Sequence, residues 1–372
     1  MYDGTPRPLF SPPSFPSAPR RRSGRTAAPA RRTAAPARRT AAPARRAAAL
    51  AVVLSATLLA GCGTTKGDAG DAKPAASSAK GFPVTVDNCG TRTTYRKPPA
   101  RVVTIHQHPA ELLLALGLKD RMVGTAYPDS GVLPELKKDF EAVPELAKKE
   151  PSFETVLNAE PDFVYGGYGS AFAEKAGRSR KAFADAGIDT YLNREYCGKK
   201  KQVSVADNYD EIRTIGAIFG VPERAGKLVG DLRARVGRTT EAVKGAPAVP
   251  VFVYDSGDKA AFTAGGKGLG SEIIRLAGGR NVFADLDGVF GDVSWEQVVA
   301  RKPEVIAIYD YGGAGNVERK KEFLLSQPAL ADVPAVKNKR FVVVPLTDTV
   351  VGIRPPYAVE KLARELHPER FR

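Results

Sequence analysis

At 372 residues, 43% of them hydrophobic, the chain has the length of one large domain or two modest ones, and neither a disordered chain nor a bundle of spanning helices fits the bulk of it. The formal charge of +15 invites a nucleic-acid partner, but the excess is local: residues 1–61 hold 11 Lys+Arg and one acid, leaving 45 Lys+Arg against 40 Asp+Glu beyond Gly61. A balance of +5 over 311 residues gives no reason to expect nucleic acid.

The basic head repeats RTAAPAR about every seven residues and runs into AAALAVVLSATLLAGC. An Arg-rich region, an apolar stretch of about 15 residues and small residues at a cleavage point have the layout of a secretory signal, and the stretch falls short of the ~20 apolar residues a membrane span needs. Leu59-Ala60-Gly61-Cys62 resembles the lipobox of bacterial lipoproteins, which makes Cys62 the lipidated first residue of the mature chain; an ordinary cleavage site with a Cys beside it is the alternative. On this reading residues 1–61 are a signal with an Arg/Ala/Pro-rich extension and 62–81 a lipidated Cys with a flexible tether. The protein is then held, without spanning, on the extracytoplasmic face of a bacterial cell membrane. In that oxidising setting Cys89 and Cys197 are expected to form a disulfide, two buried free thiols being the alternative. Neither lies in a CxxC or near a His, which argues against zinc.

Beyond the tether, β-branched runs alternate with amphipathic ones, the pattern of an α/β fold with mainly parallel strands. The first lobe, 82–206, opens with strand Val102–Ile105, a helix from about Pro109 to Leu116 stopped by Gly117, and strand Met122–Thr125. Strands PDFVYGG (161–167) and IDTYLN (188–193) follow, separated by the helical stretch SAFAEKAGRSRKAFADAG. Residues 207–246 show no strand pattern and are expected to form a connecting helical spine, with Pro222 in a first turn. The second lobe, 247–372, carries strand VPVFVYDS, helix GLGSEIIRLAGG, strand PEVIAIYDYGG, helix Val317–Ser326, strand RFVVVP and helix PYAVEKLARELH. The expected architecture is two similar lobes with mainly parallel sheets joined by a long connecting helix.

One phrase occurs twice: SFETVLNAEPDFV at 152–164 and SWEQVVARKPEVI at 294–306. In each, a Ser N-cap precedes an aromatic and a Glu in the first turn, apolar residues share one face, and a proline closes a helix of about two and a half turns before a buried strand. Each lobe therefore carries the same element in an equivalent position.

With RVVTIHQHPAELLLALGLKDRMVGTA, AGGRNVFAD and GIRPPYAVEKLARELHPERF in this order after the lipobox, residues 82–370 resemble the extracytoplasmic solute-binding lipoproteins of ABC importers, in the class that binds ferric siderophores, haem and vitamin B12. The resemblance implies a monomeric clamshell with a rigid helical hinge, a ligand between the lobes, and a membrane permease as partner. It also implies that Glu154 and Glu296, one per lobe, dock on that permease; acids in a first turn also complement the helix dipole whatever else they do.

In such lobes the ligand lies beyond the carboxyl ends of the strands. His106 and His108 follow the first strand, and an extended segment points both to one side. Tyr127, Tyr165, Tyr168 and Tyr254 stand at other strand ends, with Tyr309 and Tyr311 as further aromatics of which at least one faces inward to packing. Arg354 or Lys259 offers a cation for the ligand's charge; Arg354 is preferred because a guanidinium matches a carboxylate or catecholate bidentately. A bulky, often anionic ferric siderophore is the expected ligand, an iron(III) chelate and not a resident cofactor. Haem and then cobalamin follow, then Zn²⁺ or Mn²⁺, then a cell-surface protein without a transport role. No protein metal site is expected. No G-x-S-x-G, HExxH or complete P-loop is present, so no enzyme is expected.

Overall fold

Alternating strands and helices build two parallel sheets within the residues that the computed structural model describes, 81–128, 131–197, 202–311 and 315–372. The signal, Cys62 and most of the tether lie outside them.

The chain enters through an antiparallel hairpin that sequence patterning missed, β1 (Val84–Asn88) and β2 (Thr91–Tyr95). The first sheet is then laid down by β3 (Val102–Ile105), α1 (Gln107–Ala115), β4 (Met122–Ala126), α2 (Lys137–Glu141), β5 (Glu145–Ala147), α3 (Phe153–Leu157), β6 (Phe163–Gly166), α4 (Arg180–Asp185) and β7 (Asp189–Leu192). Its order is β5-β4-β3-β6-β7, parallel throughout. Of the long helical stretch expected before β7, only α4 is α-helical; Gly169–Phe172 and Glu174–Ala176 are single 3₁₀ turns.

The spine is two helices, not one: α5 (Val205–Ile218) and α6 (Pro222–Ala242). Gly220 separates them at φ 68, where a side chain is strained and a Cβ would stand 3.1 Å from Phe82; Pro222 then starts the second helix. The second lobe follows as β8 (Val249–Tyr254), β9 (Ala261–Ala264), α7 (Leu269–Leu276), β10 (Gly279–Asn281), β11 (Phe290–Val293), α8 (Trp295–Arg301), β12 (Val305–Asp310), α9 (Asn316–Ser326), α10 (Pro334–Lys337), β13 (Phe341–Pro345) and α11 (Pro355–Leu366). Its parallel sheet is ordered β10-β8-β12-β13, with β9 and β11 paired separately and antiparallel.

The two sheets correspond strand for strand: β4-β3-β6-β7 in one lobe is β10-β8-β12-β13 in the other. The repeated phrase supplies α3–β6 and α8–β12, in equivalent places. Ser152 Oγ accepts from Thr155 N (3.0 Å) and Ser294 Oγ from Gln297 N (3.3 Å), while Gln297 Oε1 accepts from Ser294 N (2.9 Å) to complete a capping box. Both helices are shorter than expected, 5 and 7 residues, because a left-handed residue, Glu160 (φ 48) or Lys302 (φ 45), stands directly before the proline.

One apolar cluster runs from Phe163 and Tyr165 through Ile212 and Ile215 of α5 and Leu232 of α6 to Val251, Val253 and Leu362. The lobes thus share core through the spine. Cys89, in the β1–β2 turn, is bonded to Cys197 beyond β7 (Sγ–Sγ 2.00 Å), and the Asn88 side chain holds the backbone of Leu192 from both sides at 2.8 Å.

Candidate functional site

The carboxyl ends of both sheets face a common boundary, and the segment Val350–Arg354, beyond β13, crosses it. Val351 O accepts from Asn193 Nδ2 (2.7 Å), Val351 N donates to Glu195 Oε2 (2.8 Å), and Gly352 N donates to Asn208 Oδ1 (3.0 Å). Arg354, which directly precedes α11, donates from Nε and a terminal nitrogen to both Glu111 oxygens (2.6 and 2.5 Å), to Gly131 O (2.5 Å) and to Asp348 (3.1 Å). Glu111 is fully buried on α1 and also accepts from Gln107 Nε2 and Leu133 N. Arg354 is therefore the cation of an internal interlobe pair, not a free partner for an anionic ligand. Arg354 is the N-cap residue of α11, directly before the proline that starts the helix, and its side chain crosses to Glu111 of α1.

Above this strap lies an aromatic and imidazole floor. His106 and His108 do lie side by side, with ring centroids 6.4 Å apart and planes 21° from parallel, but not through an extended backbone. His106 sits at φ 79 before α1, and His108 is already helical. The Tyr168 ring stands edge-on to both, at 4.6 and 4.9 Å, with Tyr127 5.2 Å from His106 and Tyr196 5.5 Å from Tyr168.

The two imidazoles differ in their partners. His106 Nδ1 accepts from Tyr168 N (3.3 Å), and its Nε2 lies 3.3 Å from Glu150 Oε1, close enough for attraction though not in hydrogen-bond geometry. Glu150 is in turn paired with the buried Arg178. Burial opposes the Glu150 carboxylate, yet His106, Ser170 and Arg178 outweigh it and hold its pKa at about 2. His108 is 2% exposed and neither of its nitrogens has a hydrogen bond of good geometry. Burial, and then the neighbouring His106, push its pKa down to about 3, so this imidazole is neutral. Gly167 must be glycine here, since a Cβ would stand 2.5 Å from His108 Cε1.

In the second lobe the equivalent strand ends carry different chemistry. Asp255, one residue beyond β8, is 7% exposed and accepts from Tyr311 OH (2.9 Å) and Ser256 Oγ (3.0 Å). Lys320 of α9 donates to Tyr309 O (2.5 Å) and lies 4.3 Å over the Tyr311 ring. Burial pushes the Asp255 carboxyl up and the Lys320 ammonium down. Among the described residues no group of three or more His, Cys, Asp or Glu comes together to hold a metal ion.

Of the residues singled out from sequence, His106, His108, Tyr127 and Tyr168 come together. Tyr165 and Tyr254 do not belong to this floor. Tyr165 is 1% exposed and donates to Glu211 (2.5 Å) beneath α5, because on β6 it shares the face of Phe163. Tyr254 is 3% exposed in an aromatic cluster with Phe252, Trp295 and Phe323, its hydroxyl spent on Gly257 O (3.2 Å). Lys259 is exposed in the β8–β9 turn. Tyr309 faces packing as expected, at 2% exposure. Glu111, Glu150, Asp255, Lys320 and Asp348 were missed. Only Asp255 had a visible signal, its place directly after the first strand of its lobe.

Glu154 and Glu296 are both exposed in the first turns of α3 and α8. Helices of this kind run back against the strand direction, so both first turns stand at the strands' carboxyl ends, the side on which the lobes meet. Each carboxyl is held below its usual range, Glu154 first by its own backbone N–H and then Ser152, Glu296 first by Ser294 and then its backbone N–H.

Residues 102–346 match the family model described as periplasmic binding protein. The chain is 27% identical over 320 residues to the uncharacterized ABC transporter substrate-binding lipoprotein YvrC of Bacillus subtilis, covering 85% of this chain and 95% of that one. Among solved structures, a periplasmic binding protein from Veillonella parvula is 30% identical with a TM-score of 0.70, covering 77% of this chain and 97% of its own. An ABC-type Fe³⁺-hydroxamate transport system protein from Saccharomonospora viridis is 25% identical with a TM-score of 0.65, covering 78% and 99%.

Proposed function

The chain belongs to the periplasmic binding protein family, and on that premise we propose that it captures a ferric siderophore between its lobes and delivers it to a membrane permease through Glu154 and Glu296, anchored by a lipid on Cys62. It is the solute-binding component of an ABC transporter of the ferric siderophore, haem and vitamin B12 class, and not an enzyme.

The observation that carries the ligand reading is the floor of His106, His108, Tyr127 and Tyr168 at the carboxyl ends of β3, β4 and β6, with His108 buried, neutral and unfilled. A flat or bulky chelate suits the part-exposed rings of Tyr127 and Tyr168, with the buried imidazoles beneath them, and aromatic rings contribute large contact area at small entropic cost. The same unfilled imidazole favours a second reading, haem or cobalamin, since it could meet an open metal position. Protein purified from iron-starved native cells should carry a coloured chelate. A thermal-shift panel of ferric hydroxamates, ferric catecholates, haem, cobalamin, Zn²⁺ and Mn²⁺ should respond to a ferric siderophore; a shift with Zn²⁺ alone refutes the reading.

A further inference from the structure

Resting on that functional reading, we infer that the floor of the cleft selects a chelate whose buried part is neutral or cationic, with Asp255 the carboxylate that meets it. The first ground is that every buried or half-buried cation at these strand ends is already engaged. Arg178 is paired with Glu150. Arg194 is shared between Asp210 (3.3 Å) and Glu211 (3.6 Å), and Arg354 between Glu111 (2.5 Å) and Asp348 (3.1 Å). Lys320 stands on the Tyr311 ring, in the field of both Asp255 and Asp310. An anion entering here has to displace an internal carboxylate from its cation, leaving that carboxylate buried and unpaired, which is among the costliest rearrangements available to a protein.

The second ground is the carboxylate itself. Among the described residues no Lys or Arg nitrogen comes within ion-pair distance of Asp255; its hydrogen-bond partners are the hydroxyls of Tyr311 and Ser256, and the more distant Lys320 divides its charge between Asp255 and Asp310, leaving two carboxylates to one ammonium. The buried imidazole of His108, at the end of the first lobe's strand β3, adds no positive charge. A ligand N–H or ammonium therefore finds an acceptor on the second lobe, and a ligand carboxylate or catecholate finds repulsion. Lys199, Lys200 and Lys201 lie outside the described residues.

The test uses the full folded chain and three probes matched in metal: ferrioxamine B, a linear ferric trihydroxamate ending in a free amine; its N-acetylated, uncharged derivative; and a trianionic ferric triscatecholate. Dissociation constants come from quenching of Trp295 fluorescence. The amine form should bind about tenfold tighter than the acetylated one, and the catecholate weakest. In Asp255→Asn, which keeps the shape and removes the charge, the ratio of the two hydroxamate constants should collapse toward one. The wild-type ratio needs no variant to fold. Tightest binding by the catecholate, equal binding of the two hydroxamates by the wild type, or an unchanged ratio in Asp255→Asn overturns the inference alone. No binding by any chelate overturns the functional reading beneath it.

Discussion

Replacing Arg354 by Met should cost this protein stability before it costs it a ligand. Glu111 is fully buried, and two of the four hydrogen bonds that its carboxylate accepts from side chains and backbone come from the Arg354 guanidinium, itself only 6% exposed. Removing one partner of a buried pair leaves the other as an uncompensated charge, at about 3–5 kcal/mol. At roughly 2–4 °C per kcal/mol for a chain of this size, the melting temperature should fall by about 6–20 °C. Replacing both partners, Glu111→Leu with Arg354→Met, should cost less than Arg354→Met alone, giving a coupling of about 1–3 kcal/mol in a double-mutant cycle. Urea unfolding followed by circular dichroism reads the whole chain, which Trp295, the single tryptophan, does not. If Arg354→Met unfolds within about 1 kcal/mol of wild type while losing affinity for anionic chelates, the guanidinium serves the ligand and the interlobe pair is incidental.

His108 predicts a pH dependence with a definite sign. Its folded pKa of about 3 lies below the ordinary 6.5, so the unfolded chain takes the proton first: this contribution is intact above pH 6.5 and is lost as pH falls from 6.5 toward 3, at up to about 1.4 kcal/mol per pH unit. Glu150 contributes in the same sense only below its ordinary 4.5, so His108→Asn should flatten the urea-midpoint profile between pH 6.5 and 4.5; an unchanged profile counts against a buried neutral imidazole. Cys89 and Cys197 lie 108 residues apart, and opening that loop with Cys89→Ser/Cys197→Ser should cost about 2–5 kcal/mol in urea unfolding, dithiothreitol matching it in the wild type. Glu154→Ala/Glu296→Ala should leave the melting temperature and chelate affinity unchanged and abolish uptake by cells; normal uptake removes the docking role.

Much of the scaffold was readable before any coordinates, because hydrophobic period and proline position act locally. The strand at Val102–Ile105 is found where its four apolar and β-branched letters stand, and the doubled Ser-aromatic-Glu phrase does mark corresponding helices. What failed was set by long-range partners. Nothing within a few residues of Arg354 shows that it will meet Glu111, 243 positions away, and a strand-end tyrosine looks the same whether its hydroxyl reaches a ligand or, as in Tyr165, a buried Glu211. The β1–β2 hairpin escaped because its strands, VTVDN and TRTTY, are polar on their exposed face and short. The two His rings do lie side by side as expected, but by another route, the left-handed turn at His106 doing what an extended segment was expected to do.

The strand-for-strand correspondence of the lobes also divides labour within the molecule. At their exposed starts, α3 and α8 present the same Ser-aromatic-Glu sequence, so a permease of near-twofold symmetry docking there as proposed would meet near-equal faces. The first strand of one lobe leads into His106 and that of the other into Asp255, so a ligand held between the lobes as proposed would meet two unlike walls. Under the proposed function, repetition serves the container's fit to its machine, and divergence gives its cargo a front and a back.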